Sequence, residues 1–288
     1  MIDFSAYKSC TLCPRNCRVD RSAGEIGICG ETAELRIASI GEHHGEEPPI
    51  SGTNGSGTVF LTGCSMHCAF CQNYDISCLA SGDVVQVDDV VLQLKSLYRH
   101  RNIHNVNFVT PDHFIPHIVA IVRALKEQGV DIPIVYNTSG FSHAAMIHQL
   151  NEYVDIYMPD FKFADAELAR RQANAPDYPQ IALKAIRNMV DQKGFLDVKL
   201  NFRAPARRGV FIRHLVLPGY IDNSIKALDL LVREFGRDLP INIMSQFWPA
   251  RKQMDEHLNR RLHFNEYETV VLHAEKLGFT NLLTQPLI

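Results

Sequence analysis

Eight cysteines are the residues whose type and spacing could do chemistry, and all fall within the first 78 of 288 positions. The sharpest pattern is Cys64-x3-Cys68-x2-Cys71. Cysteine thiolates hold iron–sulfur clusters, and a [4Fe–4S] cube ordinarily takes four of them. Three close thiolates engage three irons and leave the fourth open, where it can chelate a substrate or cofactor. The competing chemistry is structural zinc, which wants four ligands. Cys78 is the available fourth. Unligated core thiols are the remaining reading.

A second set, Cys10-x2-Cys13-x3-Cys17-x11-Cys29, is complete in itself. Four thiolates so spaced suit tetrahedral zinc or a second iron–sulfur cluster, and spacing does not separate the two. Pro14, Gly27 and Gly30 supply turns around them. A segment this short needs such a staple. An auxiliary cluster would relay electrons, zinc would brace the chain, and free or redox-active thiols are the third alternative.

Disulfide scaffolds belong to small secreted chains, and the opening residues carry no apolar leader. The densest apolar run, 118–122, is far below the roughly 18 residues of a membrane span. A cytoplasmic protein is expected. The 29 Lys and Arg against 32 Asp and Glu give a net charge of −3. That sets up no field toward nucleic acid or anionic lipid, so neither is an expected partner. A hydrophobic content of 46% with 21% charged residues excludes disorder.

The elements that must position these thiols follow from periodicity. Residues 1–56 form a cysteine-rich segment ending in Glu46-Glu47-Pro48-Pro49-Ile50-Ser51-Gly52, which reads as loop and as a boundary before a main domain over 57–288. Beyond it, short β-branched apolar runs at 58–62, 106–109, 132–136, 154–158, 210–217 and 241–244 read as buried strands. Helical periodicity lies between them: around 90–97 and 118–125, then over 165–172, 180–192, 224–235 and 266–277. Alternating strand and helix predicts an α/β fold with a covered parallel sheet. Six units fall short of a closed eightfold barrel, leaving an open six-unit barrel or a doubly wound sheet. Both place their sites at the carboxyl ends of strands. Polar residues stand there: Thr110 and Asp112, Asn137 and Ser139, Asp160 and Lys162, Arg213 within the fifth run, and Gln246.

The three-cysteine spacing resembles the signature of the radical S-adenosylmethionine (SAM) superfamily, and the resemblance covers nearly the whole chain. It is nearest the pyruvate formate-lyase activating enzyme-like branch, among homologues with an N-terminal Cys-x2-Cys-Pro-Arg-x-Cys motif. Cys71-Gln72-Asn73, Asp160-Phe161-Lys162, Arg213-His214-Leu215-Val216-Leu217-Pro218-Gly219 and Ser245-Gln246-Phe247 carry it. The resemblance implies a partial (βα)6 open barrel and a [4Fe–4S] cluster on Cys64, Cys68 and Cys71. It implies reductive cleavage of SAM to a 5′-deoxyadenosyl radical that abstracts hydrogen, possible substrates being a glycyl radical enzyme, a small molecule or a peptide. It implies SAM contacts from Asp160 and Lys162, with Arg213 near the SAM carboxylate. The electron donor it implies is flavodoxin or ferredoxin. The stretch 184–213, with 8 Lys and Arg against 2 Asp and Glu, is a docking face for such an acidic donor or simply solvated.

Two departures stand out. Where the family has Gly-Gly-Glu for the SAM amine, this chain reads Val109-Thr110-Pro111-Asp112, so Asp112 or a backbone carbonyl must substitute. The cysteine-rich insertion common in glycyl-radical activases is missing. Each polar residue also has a structural reading. Asp160 with Lys162 could be a surface ion pair, at about 0–1 kcal/mol. Arg213 could pair with a core carboxylate. Asn137 and Ser139 could form a turn rather than hold the SAM ribose. Gln246 could face substrate or adenine. A metal-binding electron-transfer protein without SAM chemistry is the alternative function.

Overall fold

The architecture comes from a computed structural model that describes residues 3–202 and 204–287. In chain order the strands are Arg36–His43 (β1), Ser56–Leu61 (β2), Asp83–Val84 (β3), Val106–Val109 (β4), Ile134–Thr138 (β5), Ile156–Pro159 (β6), Gly209–Val210 (β7), Ile212–Leu215 (β8), Ile241–Met244 (β9) and Leu282–Thr284 (β10). The helices are Pro48–Ser51 (α1), Tyr74–Ser77 (α2), Val87–Arg101 (α3), Ile115–Glu127 (α4), Ala144–Gln149 (α5), Ala166–Ala173 (α6), Tyr178–Lys193 (α7), Ile221–Phe235 (α8) and Phe264–Leu277 (α9).

The longer helices form where the sequence supplies a stripe and an end. α3 buries Val90, Val91 and Leu94 and stops at Asn102, which adopts the left-handed conformation. α4 and α7 carry Pro116 and Pro179 in their first turn, where a missing N–H costs nothing. Asp165 caps α6 by accepting the Leu168 N–H at 2.9 Å.

The strands make two sheets, ordered β3-β1-β2-β4-β5-β6-β7 and β10-β9-β8. From β2 to β7 all neighbours are parallel, as are β8, β9 and β10. All six expected strands are present. The fifth is split. Val210 pairs with β6, whereas Ile212 donates to the Pro240 carbonyl and starts the ladder with β9. An isolated parallel bridge between Asp160 and Arg213 carries the curvature from one sheet to the other. The result is an open barrel, not a closed one. Helices cover its outer face through one large apolar core.

Several elements escaped the apolar-run reading, among them β1, α5 and β10. β1 pairs antiparallel with β2, so residues on both sides of position 56 share one sheet. Most of β1 is only partly buried, and Arg36, Ser39 and Glu42 interrupt any apolar run. α5 and β10 are too short to show a period.

The stretch read as loop before β2 is folded inward. Ile50 on α1 is fully buried with Val135, Ile156, Met158 and Phe211, a second cluster inside the barrel. The Pro49 carbonyl accepts from Ala206 N–H, and the Ile50 carbonyl accepts from the Asn105 amide at 2.8 Å. The segment therefore plugs the amino-terminal end of the barrel. Ile50→Ala should cost about 2–5 kcal/mol of stability, read from urea unfolding. A loss below 1 kcal/mol would show that the plug does not share the barrel's core.

Candidate active site

The loop after β2 carries Cys64, Cys68 and Cys71, and the chain pins it from several sides. Gly63 has φ +72°, and a Cβ there would lie 2.6 Å from the Cys29 carbonyl oxygen, so only glycine fits. The Cys64 N–H donates to that carbonyl at 3.1 Å. Arg15 donates to the Ser65 and Ala173 carbonyls, both at 2.7 Å. Ala69 N–H donates to the Gln172 carbonyl at 2.7 Å, which ties the loop to α6.

All three cysteines line a half-open cavity of about 660 Å³ at the carboxyl ends of the strands, a size usual for a small-ligand site. Cys64 Sγ accepts the Met66 N–H at 3.4 Å, and Cys71 Sγ lies 3.1 Å from the Ser77 hydroxyl. Burial pushes the Cys64 thiol up to about 11 and raises Cys68 as well. Cys78 lies behind Ser77 and outside the cavity lining. The wall thus presents three thiols without a fourth, a donor set that fits a [4Fe–4S] cluster with one free iron and does not complete a zinc site. Among the described residues no three His, Cys, Asp or Glu side chains close round a single-ion position.

Most of the expected polar residues line this cavity with the cysteines: Thr110, Asn137, Ser139, Asp160, Lys162, Arg213 and Gln246. Thr110 has φ +58°, uncommon for a side chain of this type, and follows β4 directly. Gln246 accepts the Gln72 amide on its carbonyl at 2.8 Å, linking the last strand's end to the cysteine loop.

Asp112 does not join them. It is buried away from the cavity, accepting the Thr138 hydroxyl at 2.6 Å and the Ser142 hydroxyl. The expectation that its carboxylate could replace the missing Gly-Gly-Glu is therefore corrected. Its oxygens are held by β5 and the following loop.

Arg213 reaches the cavity wall with its fork already engaged. It lies 2.9 Å from Asp160 and 3.1 Å from Glu46, and donates to the Asn137 amide oxygen at 2.7 Å. Its guanidinium pairs with two core carboxylates. Lys162 pairs with the same Asp160. Burial alone would raise the Asp160 carboxyl, but the Arg213 and Lys162 charges outweigh it and hold it below the usual range. The pair is no surface ornament, because both side chains are mostly buried.

Sequence reasoning missed the two glutamates of the plug. Glu46 lines the cavity and accepts amide bonds from Asn107 at 3.0 Å and Asn137 at 3.3 Å. Glu47 accepts from Asn242 at 2.7 Å, and burial raises its carboxyl. An acidic pair inside Gly/Pro-rich punctuation carries no signal of burial, since its partners lie on β4, β5, β8 and β9.

Residues 58–232 match the family model of the radical SAM superfamily, and the chain belongs to that superfamily. Its members use a [4Fe–4S] cluster and SAM. The chain is 28% identical over 276 residues to an uncharacterized protein of Methanocaldococcus jannaschii, covering 94% of this chain and 75% of that one. Its fold is similar to that of native anSMEcpe with bound AdoMet and Kp18Cys peptide, with TM-score 0.51 and 10% identity over 82% of this chain and 61% of that one. Streptococcus suis SuiB, solved with precursor peptide SuiA, aligns with TM-score 0.49 and 13% identity over 77% of this chain and 46% of that one. The chain thus spans just under half of SuiB's length. No helix among the described residues is long and apolar enough to cross a membrane.

Two outcomes test this description. Asp160→Asn leaves two buried cations short of a partner and should cost about 3–5 kcal/mol; a urea-unfolding loss under 1 kcal/mol would mean that the network is not a structural joint. His214 is buried between the Phe161 carbonyl and the Ser224 hydroxyl, and burial lowers it to about 4. A depressed histidine stabilises fully above its unfolded value, near 6.5, and loses that contribution as pH falls toward 4. Stability should drop by roughly 1 kcal/mol for this residue between pH 6.5 and 5.5. His214→Asn should flatten that slope, and an unchanged slope would assign it elsewhere.

Proposed function

We propose that this radical SAM protein holds its [4Fe–4S] cluster on Cys64, Cys68 and Cys71 and binds SAM in the same cavity to abstract hydrogen from a substrate. The observation that carries this reading is the cavity itself: three thiols and no fourth, facing polar side chains from the ends of five strands. Bound there, the cluster and SAM would supply reductive cleavage of the sulfonium to a 5′-deoxyadenosyl radical.

The chain's own residues bind and orient. Ser139 and Asn137 offer hydrogen-bonding groups suited to a ribose, and Gln246 offers an amide beside the cysteine loop. Lys162 and Arg213 set two positive charges at the wall, each tempered by Asp160. With Asp112 turned away, the Glu46 carboxylate and the Thr110 backbone are the acceptors at hand for an amine. Phe70, Met66 and Leu215 supply apolar lining that limits water around a reactive intermediate.

For the hydrogen that is taken, the motif resemblance favours a glycine Cα in a partner enzyme, with a small molecule or other peptide as the alternative. Flavodoxin or ferredoxin would supply the electron.

The test is anaerobic. The reconstituted protein, given dithionite and SAM, should release 5′-deoxyadenosine detectable by mass-resolved chromatography. Cys64→Ala, Cys68→Ala or Cys71→Ala should each abolish it. A formed cluster with no 5′-deoxyadenosine, or cleavage that survives any one substitution, would overturn the reading.

A further inference from the structure

A second group of thiols, behind the cysteine loop, is used by nothing described so far. We infer that Cys10, Cys13, Cys17 and Cys29 hold a second, tetrathiolate metal centre whose negative charge balances the buried guanidinium of Arg21.

The backbone turns these four residues toward one another. Cys10 N–H donates to Val19, Arg18 N–H returns to Cys10 at 2.9 Å, and Asn16 N–H donates to Cys13. Asn16 and Arg18 both take positive φ, at 46° and 59°, to make the turn. A second turn closes at Gly27–Gly30. The Cβ position of Gly27 lies 3.5 Å from Cys29 Sγ and 3.6 Å from Cys17 Sγ, so the two sulfurs flank one point. Ile28 N–H donates to Cys17 Sγ at 3.3 Å, which fixes that sulfur against the second turn. Cys10, Cys13 and Cys29 are buried.

Arg21 supplies the independent observation. It is 1% exposed and stacks on the rings of Tyr7 at 4.6 Å and Phe114 at 5.3 Å. Its donors go to the Thr32 and His113 carbonyls and, at 3.8 Å, to Cys10 Sγ. Among the described residues no carboxylate stands within ion-pair distance of it; the nearby Glu31 pairs with Arg36 at 3.7 Å. A buried charge without a counter-ion is costly, and free thiols are mostly uncharged at neutral pH. Four thiolates outweigh either a zinc ion or a [4Fe–4S] core, so the centre is a net anion. The thiols do not yet close round a single ion. A zinc ion would draw them inward, whereas a cluster would span them on separate irons.

This inference goes beyond the proposed SAM chemistry and does not rest on it. The full chain with Cys64→Ala, Cys68→Ala and Cys71→Ala together keeps the N-terminal set intact. Purified anaerobically, it should retain about one zinc ion, or about four irons with acid-labile sulfide, per chain. Elemental analysis and sulfide assay separate the two. Adding Cys13→Ser and Cys17→Ser should remove that metal, and Arg21→Gln should speed its loss to a chelator several-fold. If the triple variant holds no more metal than a variant lacking both cysteine sets, the inference is overturned, whether or not the other variants fold. Equal metal in wild type and triple variant would instead sink the Cys64 assignment and leave this one standing.

Discussion

The joint between Asp160 and Arg213 is the contact on which the site depends. The two sheets meet there through a backbone bridge and the Phe161 N–H to Arg213 carbonyl bond of 2.8 Å. The same two residues then form an ion pair within the barrel. A guanidinium cannot stay in such a place unless its charge and its donors are met. Glu46, Asn137 and Asp160 meet them, and each comes from a different part of the chain. The site's geometry follows from that requirement. The strand that changes partners after Val210 must bring Arg213 to the end of β6, and the plug must bring Glu46 up beneath it.

The cysteine loop obeys a different constraint, close backbone approach. Gly63 lets the loop lie against Cys29, and Arg15 spans from the N-terminal segment to the loop and to the end of α6. The N-terminal segment is therefore part of what fixes the direction of the cysteine side chains. His67 adds a ring nitrogen 2.6 Å from the Ile28 carbonyl.

Much of the scaffold was legible because buried parallel strands are apolar on both faces and leave uninterrupted runs. The cysteines were legible because their spacing is local. What stayed hidden was non-local. Glu46 reads as part of a loop until Arg213, 167 positions later, is seen against it. Asp112 sits where a strand-end carboxylate is expected, yet the positive φ of Thr110 redirects the chain before it, and Thr138 with Ser142 takes its oxygens. Arg213 lines the cavity, but one sequence does not reveal which carboxylates fill its fork. β1 was missed because a partly exposed strand with Arg36, Ser39 and Glu42 in it has no apolar run to read.

The plug also bears on the order in which a ribosome delivers this chain. Glu46 and Glu47 emerge long before β8 and β9, which supply Arg213 and Asn242. Ile50 likewise waits for Phe211, its neighbour in the inner cluster. Until those strands appear, Glu46 lacks its cationic partner and Glu47 lacks its amide, so the nascent half-barrel carries two incompletely paired carboxylates. Desolvation of that pair is a late event by necessity. The step that adds β8 and β9 is the same one that pairs Glu46 with Arg213 and buries Glu47 against Asn242.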